Sequence, residues 1–158
     1  MTADGTAVAV PVYLDANVLI RLMERSDAAP GALDPVWERI EAGRLIAVTS
    51  WLSYAEVLVQ PLRARDDGLV IGYDDLFAGQ ILPLTVSAVD SEVLRAAAQL
   101  RAGLPALKLT DAIHLATAAA AGCRALLSGD RKLGLAGSID LIDPESPRDL
   151  DRFLRALP

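Results

Sequence analysis

Asp15, Glu56, Asp111 and Asp130 are the residues of this chain best placed to do chemistry. Asp15 directly follows the apolar run Val10 to Leu14. Glu56 sits between Ala55 and Val57 in a helical pattern just after the apolar run Leu45 to Val48. Asp111 opens a very apolar segment, and Asp130 follows Arg124–Leu127 across the short link Ser128-Gly129. If the runs before Asp15 and Asp130 are neighbouring strands, both acids reach one sheet edge, and a helix N-terminus there adds Asp111. Two carboxylates about 4 Å apart repel by roughly 4 kcal/mol at an effective dielectric near 20. A fold that gathers several therefore needs a cation or raised carboxyl pKa values. The chain has one His and one Cys, which excludes a multi-histidine centre, a cysteine zinc site and an internal disulfide. Oxygen donors suit Mg²⁺ or Mn²⁺, which keep water ligands for reaction.

Each acid also has an ordinary explanation. Asp15 can cap the following helix, Asp111 can complement a helix dipole, Glu56 can point to solvent, and Asp130 can be a turn aspartate. Their joint placement favours the functional reading. His114, three residues after Asp111, reads as a buried histidine on an Ala-rich helix, with an Asp-x-x-His metal pair as the alternative. Trp37 and Trp51 read as core or interface anchors, Cys123 as packing, and Arg131 and Lys132 as solvated cations.

The elements that must position these acids follow from short apolar runs alternating with helical patterns. Strands are expected at Val10–Leu14, Leu45–Val48, Ile81–Leu84, Arg124–Leu127 and Ser138–Ile142. The first helix is expected at Asn17–Glu24, with a break at Ser26–Pro30. Asp34, with Pro35 behind it, caps a helix that runs to Gly43. Thr49 or Ser50 caps a helix interrupted at Pro61, and a further helical stretch reaches Ala78. Ser87 caps a helix ending near Gly103, with Asp90 three residues on. Thr110 caps a helix from Asp111 to Ala121, and Gly122 stops it. A terminal helix is expected at Arg148–Leu157. This alternation predicts an α/β fold: a parallel sheet covered on both faces, with its ligand site at the carboxyl ends of the strands.

Composition agrees with one domain over residues 1–158, with residues 1–9 a loose tail. The chain is 53% hydrophobic with a mean hydropathy of +0.34, which excludes disorder. A net charge of −6 argues against a broad basic nucleic-acid surface, but not against an enzyme that meets phosphates through metal ions. No stretch reads as a membrane span and no basic residue precedes Arg21, so the expectation is a soluble, cytoplasmic protein. A receiver-type phosphoacceptor needs an early acidic pair and a Lys after the last strand. Here Asp4 stands alone before the first strand, and no Lys follows Lys132. A nucleotide-binding Rossmann domain needs a G-x-G-x-x-G after the first strand, which is absent.

Four segments resemble the acidic motifs of PIN-domain ribonucleases: Tyr13-Leu14-Asp15-Ala16-Asn17-Val18-Leu19, Ser53-Tyr54-Ala55-Glu56-Val57, Leu109-Thr110-Asp111-Ala112-Ile113-His114-Leu115-Ala116 and Leu127-Ser128-Gly129-Asp130. Their order and spacing are similar to the VapC toxins of bacterial toxin–antitoxin pairs. Gly129 stands where such proteins often carry a polar residue. The resemblance implies a five-stranded parallel sheet in the order 3-2-1-4-5, Mg²⁺-dependent RNA cleavage, a homodimer and a VapB-type antitoxin that blocks the acidic site. Under this scheme Asp15 and Asp111 bind the metal directly. Asp130 binds it through water or completes a second site, and Glu56 orients or deprotonates the attacking water. Asn17 and Ser128 support by hydrogen bonding. A binding module of the same fold without catalysis is the alternative.

Overall fold

Five short runs rich in Val, Leu, Ile and Ala form the sheet. The computed structural model describes residues 8–25, 31–137 and 139–157; the break expected at Ser26–Pro30, the start of the tail and Ser138 lie outside these residues. In chain order the elements are β1 (Val10–Leu14), α1 (Ala16–Met23), α2 (Asp34–Glu41), β2 (Leu45–Ser50), α3 (Trp51–Ala64), α4 (Asp67–Phe77), β3 (Leu84–Ser87), α5 (Ser91–Gly103), α6 (Leu109–Ala120), β4 (Ala125–Leu127), a 3-10 turn (Arg131–Ala136), β5 (Asp140–Ile142) and α7 (Pro147–Arg155).

All strand pairs are parallel, in the order β3-β2-β1-β4-β5 that the resemblance implied. The strand carrying Asp15 is therefore central, with β2 and β4 on its two sides. Successive side chains of a strand face opposite ways. Val12 and Leu14 thus enter the core formed with α1, α2, α4 and α7, whereas Tyr13 enters the core formed with α5 and α6. Ala125 and Leu127 divide from Leu126 in the same way. Helices on both faces explain why β1 and β4 are almost wholly apolar. Trp37 lies in the core, Cys123 is buried, and Trp51 is half-exposed with its ring edge-on to Tyr54. Among the described residues, no helix is long and apolar enough to cross a membrane.

Several boundaries differ from expectation. The third strand is not Ile81–Leu84 but Leu84–Ser87, paired with Ala47–Ser50. Pro83 has no N–H to give a ladder, so pairing begins after it. Leu82 is instead buried in the core. Because Ser87 is held in the sheet opposite Ser50, it does not cap the next helix. Asp90 does, accepting from the amides of Glu92 at 3.0 Å and Val93 at 2.9 Å. Pro61 does not interrupt α3, which continues to Ala64 and ends where Arg65 takes a left-handed φ of 56°. Asp34 opens α2 as its first residue, with Leu33 at the cap position. The Asp34 carboxylate turns back to accept from the amide of Gly31 at 2.8 Å. Thr110 lies inside α6, where Lys108 is the cap and makes no side-chain capping bond.

Candidate active site

The carboxyl ends of β1, β2 and β4 lie side by side, and each ends on or hands the chain to a polar residue. β1 ends at Leu14 and delivers Asp15, whose amide donates to the carbonyl of Leu127 at 3.1 Å. β2 ends at Ser50, which opens α3 by accepting from the Ser53 amide. β4 ends at Leu127 and delivers Ser128. The Thr49 hydroxyl donates to the Leu14 carbonyl at 2.9 Å, which ties β2 to β1 just before Asp15.

Asp15 is buried, and both its oxygens accept hydrogen bonds. Oδ1 takes the Ala16 amide at 2.7 Å, so the capping role is real. Oδ2 takes the Ser128 hydroxyl at 2.6 Å and the Asn17 amide group at 2.9 Å. Asn17 also donates to Ser128 Oγ at 3.2 Å and accepts from the Gly129 amide at 3.3 Å. Ser128 Oγ in turn accepts from the Asp130 amide at 3.0 Å. Asn17 and Ser128 therefore bind the loops after β1 and β4 into one unit. Asp130 also acts as a turn residue, accepting from the Lys132 amide at 3.0 Å at the start of the 3-10 turn.

Glu56 does not point freely to solvent. Its Oε2 accepts from His114 Nε2 at 2.9 Å, across from α6. The same nitrogen lies 3.5 Å from Asp15 Oδ1. His114 Nδ1 meets the Tyr13 hydroxyl at 2.8 Å, and that hydroxyl donates to Ser50 Oγ at 2.9 Å. The expectation of a buried histidine holds for His114, but it also stands between two of the four acids. The sequence signal was present. His114 lies three residues from Asp111 and so shares its helix face, and alternation turns Tyr13 towards α6.

Asp111 is buried in the first turn of α6, and its Oδ2 has no hydrogen-bond partner. Burial raises its pKa first, and the nearby charge of Asp130 raises it further; Lys108 and His114 only partly oppose this. For His114, burial by itself lowers the pKa. The hydrogen bond to Glu56 and the charges of Asp15, Glu56 and Asp111 outweigh that and leave it raised. Burial likewise pushes the Tyr13 hydroxyl pKa well up.

Asp15 and Glu56 thus meet through His114, the Asp130 backbone is tied to Asp15 through Ser128, and Asp111 feels the charges of both Asp130 and His114. Asp15, Glu56 and His114 each offer one ligand atom, all within 4.8 Å of one another. The partnerless Asp111 oxygen is a buried acceptor of the kind a cation would satisfy. This donor set, mostly hard oxygen, fits Mg²⁺ or Mn²⁺.

Residues 12–137 match the family model described as PIN domain. No curated protein sequence matches the chain significantly. Among solved structures, VapBC2 from Rickettsia felis bound to a DNA fragment from its promoter is similar, with a TM-score of 0.67 at 15% identity over 84% of this chain and 97% of that one. VapBC-1 from nontypeable Haemophilus influenzae gives a TM-score of 0.66 at 16% identity, over 87% of this chain and 100% of that one. Mycobacterium tuberculosis VapC20, a toxin that cleaves the sarcin-ricin loop, gives 0.61 at 16% identity over 80% of this chain and 95% of that one. At these identities the structural likeness is one of fold.

Proposed function

The chain belongs to the PIN domain family, and from that premise we propose that it is a divalent-metal-dependent endoribonuclease, the toxin of a toxin–antitoxin pair. The observation that carries this reading is the cluster of Asp15, Glu56 and His114 at the carboxyl end of β1, with Asp111 on the same helix as His114 keeping a buried carboxylate oxygen without a partner. A stability role alone does not explain such a cluster, because like charges gathered at a sheet edge cost free energy unless a cation offsets them.

In this reading Asp15 and Asp111 hold Mg²⁺ or Mn²⁺, with Asp130 contributing through water. The bound ion supplies charge neutralisation at the phosphoryl oxygens and a more acidic attacking water. Asn17 and Ser128 fix the Asp15 carboxylate by donating to Oδ2. Glu56 engages His114 through Oε2, which leaves Oε1 to orient the attacking water and take its proton. Water adds to phosphorus as the bond to the 3′ oxygen breaks, leaving a 5′-phosphate and a 3′-hydroxyl. The partners in this reading are RNA as substrate, a second copy of the chain in a homodimer, and a VapB-type antitoxin that covers the acidic pocket; the site of action is the cytoplasm. VapBC complexes have this fold.

The test is cleavage of RNA by purified protein with Mg²⁺ or Mn²⁺, with a chelator, and with Asp15→Asn. Metal-dependent cleavage that the chelator and the substitution both abolish supports the reading. Undiminished cleavage by Asp15→Asn overturns it.

A further inference from the structure

We propose that His114 is a positioning residue, held in place by Tyr13 and Ser50, and that it fixes the Glu56 carboxylate for its work on the attacking water. This rests on the nuclease reading above and gives a role to a residue that the scheme drawn from the acidic motifs left without one.

His114 is only 3% exposed, so it does not reach substrate; it acts through what it touches. Its two ring nitrogens are both engaged, at 2.8 Å by the Tyr13 hydroxyl and at 2.9 Å by Glu56. An ionised carboxylate only accepts, so the proton of that second bond sits on Nε2 and points at Oε2. Tyr13 is fully buried, and its hydroxyl reaches on to Ser50 Oγ at 2.9 Å. The Tyr13 ring meets the imidazole edge-on, with centroids 5.7 Å apart. A chain of contacts therefore runs from the end of β2 through central β1 to α6 and out to α3. Glu56 is the only exposed link, with 35% of its side chain accessible. A long glutamate on a helix has several rotamers open to it. Its anchor here is a ring that cannot turn without breaking two bonds, one of them to the middle of the sheet. Nε2 also lies 3.5 Å from Asp15 Oδ1, which sets the spacing between the two acids.

The test compares Tyr13→Phe, His114→Leu and His114→Gln in the full chain. His114→Leu should lower kcat about 10- to 100-fold with KM unchanged, and Tyr13→Phe should fall near the lower end of that range. His114→Gln, whose amide can still donate to Glu56, should recover part of the loss. The independent readout is the imidazole Nε2–H proton resonance of metal-free protein, which belongs to the sole histidine. It should be protected from exchange in the wild type and broadened in Tyr13→Phe. Wild-type kcat in Tyr13→Phe, or an unchanged resonance in it, overturns the proposal even if His114→Leu fails to fold. If the wild type cuts no RNA with any divalent ion, the nuclease reading falls. The resonance then decides alone whether Tyr13 holds His114 on Glu56.

Discussion

Ser128 donates its hydroxyl to Asp15 at 2.6 Å across 113 positions of sequence. That bond is charge-assisted and buried, and Ser128 Oγ also accepts from Asn17 and from the Asp130 amide. Ser128→Ala removes all three links at once. It should cost about 1.5 to 3 kcal/mol of stability, the range for hydrogen bonds to charged groups, measured by urea unfolding. A loss of only a few tenths would mean that Asn17 and the Ala16 amide hold Asp15 without Ser128.

Asp111 should behave in the opposite way. Its charged form is disfavoured by burial and by Asp130, and one of its oxygens has no partner. Asp111→Asn should therefore raise the Tm of metal-free protein while abolishing the metal-dependent activity. A variant less stable than the wild type without metal would show that the Asp111 carboxylate is needed by the fold itself.

Divalent ion should supply what the acids lack. Binding to the native state alone stabilises by about 2.7 kcal/mol at a free concentration 100 times Kd. Thermal melts with Mn²⁺ or Mg²⁺ should rise with concentration in the wild type and stay flat in Asp15→Asn. Equal responses from the two proteins would remove Asp15 from the metal site.

The pH dependence has a definite sign. His114 and Asp111 both have raised pKa values, so the native state binds more protons than the unfolded one, and stability falls as pH rises. For His114 the stabilisation is complete below its unfolded value near 6.5 and is lost as pH climbs through the higher native value. For Asp111 the destabilisation sets in from about 4 upward. Metal-free protein should thus be more stable at pH 6 than at pH 8. An NMR titration of the single histidine should give a midpoint above 6.5, lowered in Glu56→Gln. A midpoint at or below 6.5 would show that burial outweighs the carboxylates.

The start of α5 gives a cleaner test of the fold. Asp90→Ala should cost about 1 kcal/mol, the usual worth of an N-cap, because its carboxylate takes two amides of the first turn. Ser87→Ala should cost less, since Ser87 is a strand residue. The reverse ranking in chemical denaturation would restore Ser87 as the cap.

These residues also mark what the sequence revealed and what it hid. Asp15 and the strand before it were legible because a buried apolar run ending in an acid is a local pattern. Motif spacing singled out Glu56, Asp111 and Asp130, and the fold brings Glu56 to Asp15 through His114. The third strand was placed too early because Ile81–Leu84 is the more apolar run. Its true span depends on pairing with β2, a partner more than 30 residues away, and on the missing N–H of Pro83. For His114 the helix-face signal was present, but its partner was not legible for a similar reason. Its partner Tyr13 lies 101 positions away, and only the sheet order and the side-to-side alternation of β1 bring the two together.

The central position of β1 has a further consequence for how the molecule breathes. The Asp15 amide is tied into a strand with neighbours on both flanks, so it can exchange with solvent only when the heart of the sheet opens. Asp130 instead follows a strand of three residues whose outer neighbour, β5, is the sheet's edge. The Asp15 side of the candidate site thus opens only with the sheet itself, whereas the Asp130 side can loosen by local opening. An incoming chain that had to part the two would do so from the side of Asp130, leaving Asp15 as the fixed point of reference.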